Sequence, residues 1–332
     1  VVTEITGSVE HVELCGRDGW ADVFLVAPAT ANTVGKMAAA IDDSPVTTTA
    51  TTALGAGVPV VVAPAMHEPM YDHPGVLDAI DRVESWGVDF VDPRIEEGKA
   101  KIATEDAIVT ATARATTPAT LADRHVVVTS GATTESVDPI RTLSNRASGR
   151  TGREVARACY VRGADVTLVH DGPEVPYADV RRVESAAAML DAVQSAVAGD
   201  DGSSPADALV SAAAISDFTV ETASEKIRSG EALTLDLEPT PKLIDTVRDA
   251  HPDLTIVGFK AETSGDDDAM IERARELRDR VDLAFVVAND ATVMGADETR
   301  ALFVFEASTE TYAGSKAGLG GRVADALATA LD

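Results

Sequence analysis

The sequence predicts an α/β fold of two Rossmann-like open parallel sheets flanked by helices, the first of them incomplete. Three observations predict it. Short apolar runs recur at residues 23–27, 58–63, 126–129, 165–169, 208–212, 255–259 and 283–288, and runs without polar alternation fit parallel strands covered on both faces. Helical patterns lie between them, at residues 152–162, 186–198 and 266–280, and such alternation belongs to α/β architecture. A stretch rich in Ala and Thr at residues 111–123, containing Pro118, precedes a fresh strand. That stretch sets a domain boundary and divides the chain into residues 1–120 and 121–332.

The first segment has only two clear strands and a short third near residues 88–91, too few for an ordinary doubly wound sheet. It reads as the back half of a domain, and Val1 in place of Met fits a missing N-terminal portion. Acidic residues outnumber basic ones 55 to 28, a formal charge of −27, so the mean field repels a polyanion and nucleic-acid binding is not expected. The charge is spread through a chain that is 45% apolar, which argues against disorder and for a protein kept hydrated in a high-salt cytoplasm. No apolar run reaches the length of a membrane span, and no basic-then-apolar leader opens the sequence. The expected protein is cytoplasmic and makes no membrane contact.

Lysine is scarce, with only Lys36, Lys99, Lys101, Lys226, Lys242, Lys260 and Lys316. Where Arg is the default cation, a retained Lys marks a place that wants a compact ammonium, such as a phosphate site; chance is the competing reading for any single one. Cys15 and Cys159 are far apart and fit no metal-ligand spacing, so no protein metal site and no disulfide is expected.

In the first segment three pieces stand out: Gly7-Ser-Val-Glu-His11-Val-Glu-Leu14, Ala27-Pro28-Ala29-Thr30-Ala-Asn32-Thr33, and Ala63-Pro64-Ala65-Met66-His67-Glu-Pro-Met70. The last two follow strands at their C-terminal ends, where open α/β sheets place ligands, and their small residues let backbone approach closely. A planar or phosphorylated ligand fits. A lone His in this setting is, on its own, more often structural than catalytic. Together the pieces resemble the flavin-dependent cysteine decarboxylase family. The resemblance implies that His11 is catalytic and that Ala27, Pro28, Ala29, Thr30, Asn32, Pro64, Ala65 and Met66 help hold FMN. It also implies a substrate contact for His67, which stands where bacterial members have Asn. The bacterial flap cysteine is replaced here by Glu96-Glu-Gly-Lys99-Ala-Lys101, an archaeal-looking form in which His67 and Lys99 are the candidate proton donors.

In the second segment the strand at residues 126–129 runs into Thr129-Ser-Gly-Ala-Thr-Thr-Glu135-Ser-Val-Asp-Pro-Ile-Arg141, then Leu143-Ser-Asn145-Arg-Ala147-Ser148-Gly149-Arg-Thr-Gly152 before a helix. A Gly-rich turn into a helix N-terminus presents free N–H groups and suits phosphate or carboxylate, with a simple Ser/Gly cap as the competing reading. The spacing is not G-x-G-x-x-G, which disfavours a nicotinamide oxidoreductase. Further pieces are Val210-Ser211-Ala212-Ala-Ala-Ile-Ser-Asp217, Ser224-Glu-Lys226-Ile-Arg228, Glu238-Pro-Thr-Pro241-Lys242-Leu243-Ile244, Val257-Gly-Phe259-Lys260-Ala-Glu262-Thr263 and Val287-Ala-Asn289-Asp290. Most lie just past strand ends, where one crevice can gather them.

In this order and spacing they resemble the phosphopantothenate-cysteine ligase family, and its joining to a decarboxylase segment matches the known bifunctional arrangement. The resemblance implies activation of the 4′-phosphopantothenate carboxylate by CTP, followed by capture with cysteine, with a divalent cation, Mg²⁺, on the triphosphate. It assigns Lys226 to the reacting phosphate, Asn145 to turnover of the acyl-nucleotide, and Ala147, Ser148 and Gly149 to substrate. Ser211, Ala212, Asp217, Pro241, Lys242, Leu243, Ile244 and Phe259 match nucleotide-contacting positions. Alone, Phe259 reads as core, Asp217 as a cap and Lys226 as a surface lysine. The family habit implies a homo-oligomer. A rival reading keeps the ligase and makes the first segment a flavin-free scaffold.

Overall fold

In a computed structural model of the chain, residues 1–5, 7–200, 202–228, 230, 232–262, 266–290 and 298–332 are described, with Glu262 and Asp290 described in their backbone only. The chain divides into two compact units, Val1–Pro118 and Ala119–Asp332.

The first unit runs through helix α1 (Glu10–Cys15), strand β1 (Phe24–Ala29), helices α2 (Ala31–Ala38) and α3 (Pro45–Ala56), and strand β2 (Val60–Pro64). It continues with β3 (Met66–His67), α4 (Glu68–Tyr71), α5 (Pro74–Glu84), β4 (Asp89–Phe90), β5 (Arg94–Glu96), β6 (Lys99–Lys101) and α6 (Glu105–Thr116). Strands β1, β2 and β4 pair in parallel in that order, and every residue of β2 is buried. Its continuous apolar run is the signature of a strand with two covered faces. Helix α3 starts at a capping box of Ser44 and Thr47 with Pro45 in its first turn, which satisfies N–H groups that have no helical partner.

A second small sheet, of order β3-β6-β5, is antiparallel. Glu97 and Gly98 join β5 to β6 with φ of 53° and 69°, the two left-handed residues of a tight hairpin turn whose twist matches its strands. The boundary between the units falls within the Ala- and Thr-rich stretch, which is partly helical. Residues 111–116 belong to α6, which is capped at Thr104 and runs on to Thr116. Ala and Thr there are helix residues, and only the segment around Pro118 is irregular.

The second unit runs through β7 (His125–Thr129), β8 (Thr134–Ser136), β9 (Thr142–Ser144), α7 (Arg150–Val161), β10 (Asp165–His170), β11 (Asp179–Arg182), α8 (Ala186–Ala198) and β12 (Ala208–Ser211). Then follow β13 (Phe218–Val220), β14 (Leu237–Pro239), α9 (Leu243–Ala250), β15 (Thr255–Glu262), α10 (Asp267–Val281), β16 (Phe285–Asp290), β17 (Glu298–Val304), β18 (Thr309–Ser315) and α11 (Lys316–Leu331). The main sheet has eight strands in the order β11-β10-β7-β12-β15-β16-β17-β18. From β11 to β16 the pairs are parallel. The expected α/β class with parallel-dominated sheets is therefore present, with an antiparallel hairpin, β17 and β18, added at one edge. That hairpin was not anticipated, because its second strand, Thr-Glu-Thr-Tyr-Ala-Gly-Ser, is polar and exposed on an edge.

Successive side chains of β7 serve opposite layers, as strand geometry requires. Val126 and Val128 pack with Val155 and Cys159 of α7 and Val323 and Leu327 of α11. Val127 packs with Met189 and Val193 of α8, Val247 of α9 and Met270 of α10. Cys159 is sealed in that core, and burial pushes its thiol up to about 12, so it is an inert packing residue. Helices α7 and α11 touch backbone to side at Gly320, where an added Cβ would stand 2.5 Å from the Glu154 carbonyl oxygen. Gly320→Ala is expected to destabilise the second unit by about 1–3 kcal/mol through overpacking, measured by urea unfolding; unchanged stability would show that the helices can separate without cost.

Candidate active site at the strand exits

Chain order and sheet order disagree at one place in the second unit. From β7 the chain goes outward to β10 and β11, then returns to lay β12 on the other side of β7. The C-terminal ends of β7 and β12 thus flank a topological switch point, where open α/β sheets form a ligand crevice. Thr129 ends β7 beside Ser211, and Ser211 lies beside Gly258.

The two exits are tied by side-chain oxygens. Thr129 is fully buried, and its hydroxyl oxygen accepts the N–H of Ala212 at 3.1 Å and of Ala213 at 3.2 Å. Thr133 is buried and its hydroxyl oxygen accepts the N–H of Ser216 at 2.8 Å. Between them Ala132 and Ala214 form a parallel bridge. Asn145 donates its side-chain amide to the Ala214 carbonyl at 2.9 Å while remaining exposed. Of its predicted partners, Ala147 and Gly149 are half-buried and Ser148 exposed. Gly149 adopts φ 70° at the N-cap of α7 with no side-chain cap, at the end of the helix where the dipole favours an anion. The Ser130 hydroxyl donates to the Gly149 carbonyl at 2.7 Å, and a Cβ on Gly152 would stand 2.6 Å from that of Ser130. The β7 exit and the α7 N-terminus are therefore in contact.

Glu135 and Asp138 carry parts of this scaffold. Glu135 accepts the N–H of Ala186, opening α8, at 2.8 Å and the Thr219 hydroxyl at 3.0 Å. Asp138, 2% exposed, accepts the N–H groups of Ile140 and Arg141 on one oxygen and the Arg141 guanidinium and Ile227 N–H on the other. Burial opposes its ionisation, yet the three N–H bonds and the Arg141 charge outweigh burial and hold the carboxyl below the usual range. Ile227 is the neighbour of Lys226, which is exposed and has no ion-pair partner among the described residues.

The other predicted nucleotide positions divide. Asp217 and Lys242, both exposed, form an ion pair, and Thr240 N–H donates to the Asp217 carbonyl at 3.0 Å. The Asp217 exit and the exposed Pro241 are thereby adjacent. Leu243, 4% exposed, is core and opens α9, with Ile244 packed beside it. Phe259 lies inside β15 opposite Val287 rather than past the strand end, and packs on the α7–α11 core. The strand runs on through Lys260, whose partner position is Ala288. Thr263, the end of the Gly-Phe-Lys-Ala-Glu-Thr motif, and the side chain of Asp290 lie outside what is described, as does Ser229.

In the first unit the β1 and β2 exits meet directly: Ala29 stands beside Pro64 and its carbonyl accepts the Ala65 N–H at 2.8 Å. Ala27, Pro28, Thr30 and Asn32 are exposed around this junction. Thr30 is the N-cap of α2, accepting the Thr33 N–H at 3.3 Å. His67 stands opposite Lys99 and Met66 opposite Ala100, so the hairpin places the two candidate proton donors side by side. His11 lies on α1 and lines a small cavity with Leu14, Pro45, Thr48 and Thr49, a lining that includes none of residues 27–33 or 64–67. Small side chains with exposed hydroxyl and amide groups at a strand junction fit the edge of a flat heterocycle such as a flavin ring. Among the described residues no group of three or more His, Cys, Asp or Glu side chains could hold a metal, and no helix is long and apolar enough to cross a membrane.

One rival is disfavoured by local topology. In a dinucleotide fold the first strand turns straight into its helix, whereas here β8 and β9 intervene between β7 and α7. What remains is a doubly wound α/β protein whose joined strand exits carry a helix N-terminus, an amide and nearby cations, a setting that suits an anionic ligand. Residues 121–331 match the DNA/pantothenate metabolism flavoprotein C-terminal domain family, and residues 1–117 match the Flavoprotein family. The coenzyme A biosynthesis bifunctional protein CoaBC of Thermococcus kodakarensis is 46% identical over 308 residues, covering 92% of this chain and 75% of that one. That of Methanocaldococcus jannaschii is 33% identical over 332 residues, covering 98% and 79%. The chain belongs to this bifunctional family. The crystal structure of the DNA/pantothenate metabolism flavoprotein from Streptococcus pneumoniae, at 22% identity, shares the fold with a TM-score of 0.55 over 62% of this chain and 98% of that one.

Thr129, Thr133 and Asp138 had no role in the sequence reading, although the motifs containing them were quoted; their partners lie roughly 80 to 90 positions away, beyond any local pattern. Thr129→Val is expected to cost about 1–3 kcal/mol in unfolding free energy by stranding buried N–H groups, with Thr129→Ser near wild type. Equal stability of the Val and Ser variants would show that the hydroxyl does not tie the exits.

Proposed function

We propose that the second unit joins 4′-phosphopantothenate to cysteine at the β7–β12 crevice at the expense of CTP, and that the first unit carries out FMN-dependent decarboxylation of the product. The bifunctional family supports both halves, and the observation that carries the ligase half is the Asn145 amide held on Ala214 over the joined exits. The domains are taken as residues 1–120 for the decarboxylase and 121–332 for the ligase.

In the proposed reaction the substrate carboxylate attacks the nucleotide α-phosphorus, an O–P bond forms, and pyrophosphate leaves. The cysteine amine then attacks the acyl carbon, the C–O bond to CMP breaks, and an amide results with loss of the ammonium protons. Such chemistry needs positioned charge and donors rather than a protein nucleophile. Lys226 is assigned to balance charge at the reacting phosphate. Asn145 has a second amide N–H free for the acyl carbonyl when the first is spent on Ala214, and its bond to Ala214 fixes the amide's direction. The uncapped α7 turn at Gly149, with Ala147 and Ser148, suits an anionic group of the substrate. Ser211 and Ala212 at the β12 exit, with Asp217, Pro241 and Lys242, form the nucleotide side; Leu243 and Ile244 contribute there through backbone, and Phe259 as its apolar floor. Mg²⁺ is assigned to the triphosphate oxygens, since no described protein cluster would hold it, and no step is assigned to it.

For the first unit, the small residues of the β1 and β2 exits, Ala27 to Thr30 and Asn32 with Pro64 to Met66, would hold FMN, which supplies redox chemistry when bound. His11 is assigned as the catalytic histidine and His67 as a substrate contact, with Lys99 beside it. The net charge of −27 supports a high-salt cytoplasm as the setting, where screening limits self-repulsion. A homo-oligomer is the expected state.

Sustained pyrophosphate release from CTP is expected only when 4′-phosphopantothenate and cysteine are both present. Lys226→Gln and Asn145→Asp are each expected to lower that rate by about 10²-fold or more, the scale seen for loss of one transition-state contact. Rates unchanged in both variants would refute the site.

A further inference from the structure

Residues 221–236 connect β13 to β14, and the described part carrying Lys226 is held to the β8 side of the molecule by a short series of bonds. Thr222 donates its hydroxyl to the Ser136 carbonyl at 2.8 Å, and Ala223 N–H donates to the Val137 carbonyl at 3.0 Å. Next to Lys226 the hold passes to side chains. Ile227 N–H donates to Asp138 Oδ2 at 3.1 Å, and the Ile227 carbonyl accepts from Arg141 Nη2 at 2.9 Å. Both polar groups of one peptide position are thus gripped by one ion pair, Asp138 with Arg141.

The grip is chemically complete. A carboxylate offers about four acceptor sites. Asp138 uses Oδ1 for the N–H groups of Ile140 and Arg141, each at 2.8 Å, and Oδ2 for Arg141 Nη1 at 2.8 Å and Ile227 N–H at 3.1 Å. No neutral side chain of this shape can accept four times; an Asn amide would turn two acceptors into donors facing N–H groups. Ile227 is half-buried while Lys226 and Arg228 are exposed, as alternation along an extended segment dictates. Gripping Ile227 therefore aims both flanking cations outward on the same side.

We propose that Asp138 is a positioning residue of the ligase reaction: through its grip on Ile227, shared with Arg141, it fixes the direction from which Lys226 meets the anionic substrate. The assignment rests on the role given above to Lys226. It accounts for a fully buried carboxylate beside an exposed lysine on a segment outside any helix or strand. A long, mobile ammonium loses effectiveness when its own backbone wanders, since misplacement by about 1 Å can cost roughly 10²-fold in rate.

The test is a double-mutant cycle on the full chain, read as pyrophosphate release from CTP with both other substrates, together with the rate of tryptic cleavage at the Lys226–Ile227 bond. Asp138→Asn is expected to lower kcat by about tenfold or more, and Lys226→Gln added to it to cost less than about threefold, because residues acting as a unit are non-additive. Cleavage after Lys226 is expected to quicken by about tenfold in Asp138→Asn well below its melting temperature, as local opening exposes the bond. If Asp138→Asn does not fold, Arg141→Gln, which removes the guanidinium that holds the Ile227 carbonyl and pairs with Asp138 while leaving the Lys226–Ile227 bond cleavable, takes its place in the same cycle with the same expectations. Additive losses, or unchanged cleavage, overturn the proposal. A rate lost in Lys226→Gln but kept in Asp138→Asn also overturns it while leaving the ligase reading intact, and an unaffected Lys226→Gln overturns both.

Discussion

The hydroxyl oxygen of Thr129 accepts two consecutive backbone N–H groups from the neighbouring strand exit, and the crevice of the second unit is organised around that contact. Strand exits at a switch point diverge, one connection going to each side of the sheet, and their backbone groups lose ladder partners just where a ligand must be met. A buried threonine at the end of β7 supplies the missing acceptor for β12, and Thr133 repeats the device one step further out for Ser216. Between these anchors the Ala212 to Ser216 backbone is held still, and Asn145 can rest its amide on Ala214.

Electrostatics set a second constraint. A protein of charge −27 must collect anionic substrates, so cations near the crevice have to act at short range, inside the screening length that salt imposes on the acidic surface. The scarce lysines show how this is arranged. Lys36 is paired with Asp43 and Lys101 with Glu96 and Glu97, and these exposed pairs contribute little to stability. Lys242 is paired with Asp217, just past the β12 exit. Lys226 has no ion-pair partner among the described residues, and its backbone is instead gripped by Asp138 through Ile227. Placement of the segment and freedom of the ammonium are thereby separated.

Much of the architecture was legible because parallel strands buried on both faces write themselves as unbroken apolar runs. The runs at 126–129, 165–169 and 208–212 coincide with β7, β10 and β12 to within a residue or two. Strand ends were less legible: β15 and β16 continue into Lys260 and Asn289 because Lys260 pairs with Ala288 and Ala261 with Asn289 across the ladder, and hydropathy does not record pairing. The edge strand β18 is polar for the same reason that edges stay soluble. Helix α6 was not read from the sequence, since Ala and Thr serve either state until capping by Thr104 is seen. At the candidate site the family resemblance named Asn145, Asp217 and Lys226, whereas the oxygens that tie the exits and grip Ile227 belong to contacts made across the fold.

Amide hydrogen exchange with and without CTP and 4′-phosphopantothenate, in the absence of cysteine, addresses the account of the crevice most directly. Slowed exchange is expected in residues 130–135, 145–152, 212–217 and 226–228, which the switch point and the Asp138 grip bring to one place. Unchanged exchange in the β7 and β12 exits, with protection confined to the opposite ends of the strands around Thr255 and Ala284, would contradict it.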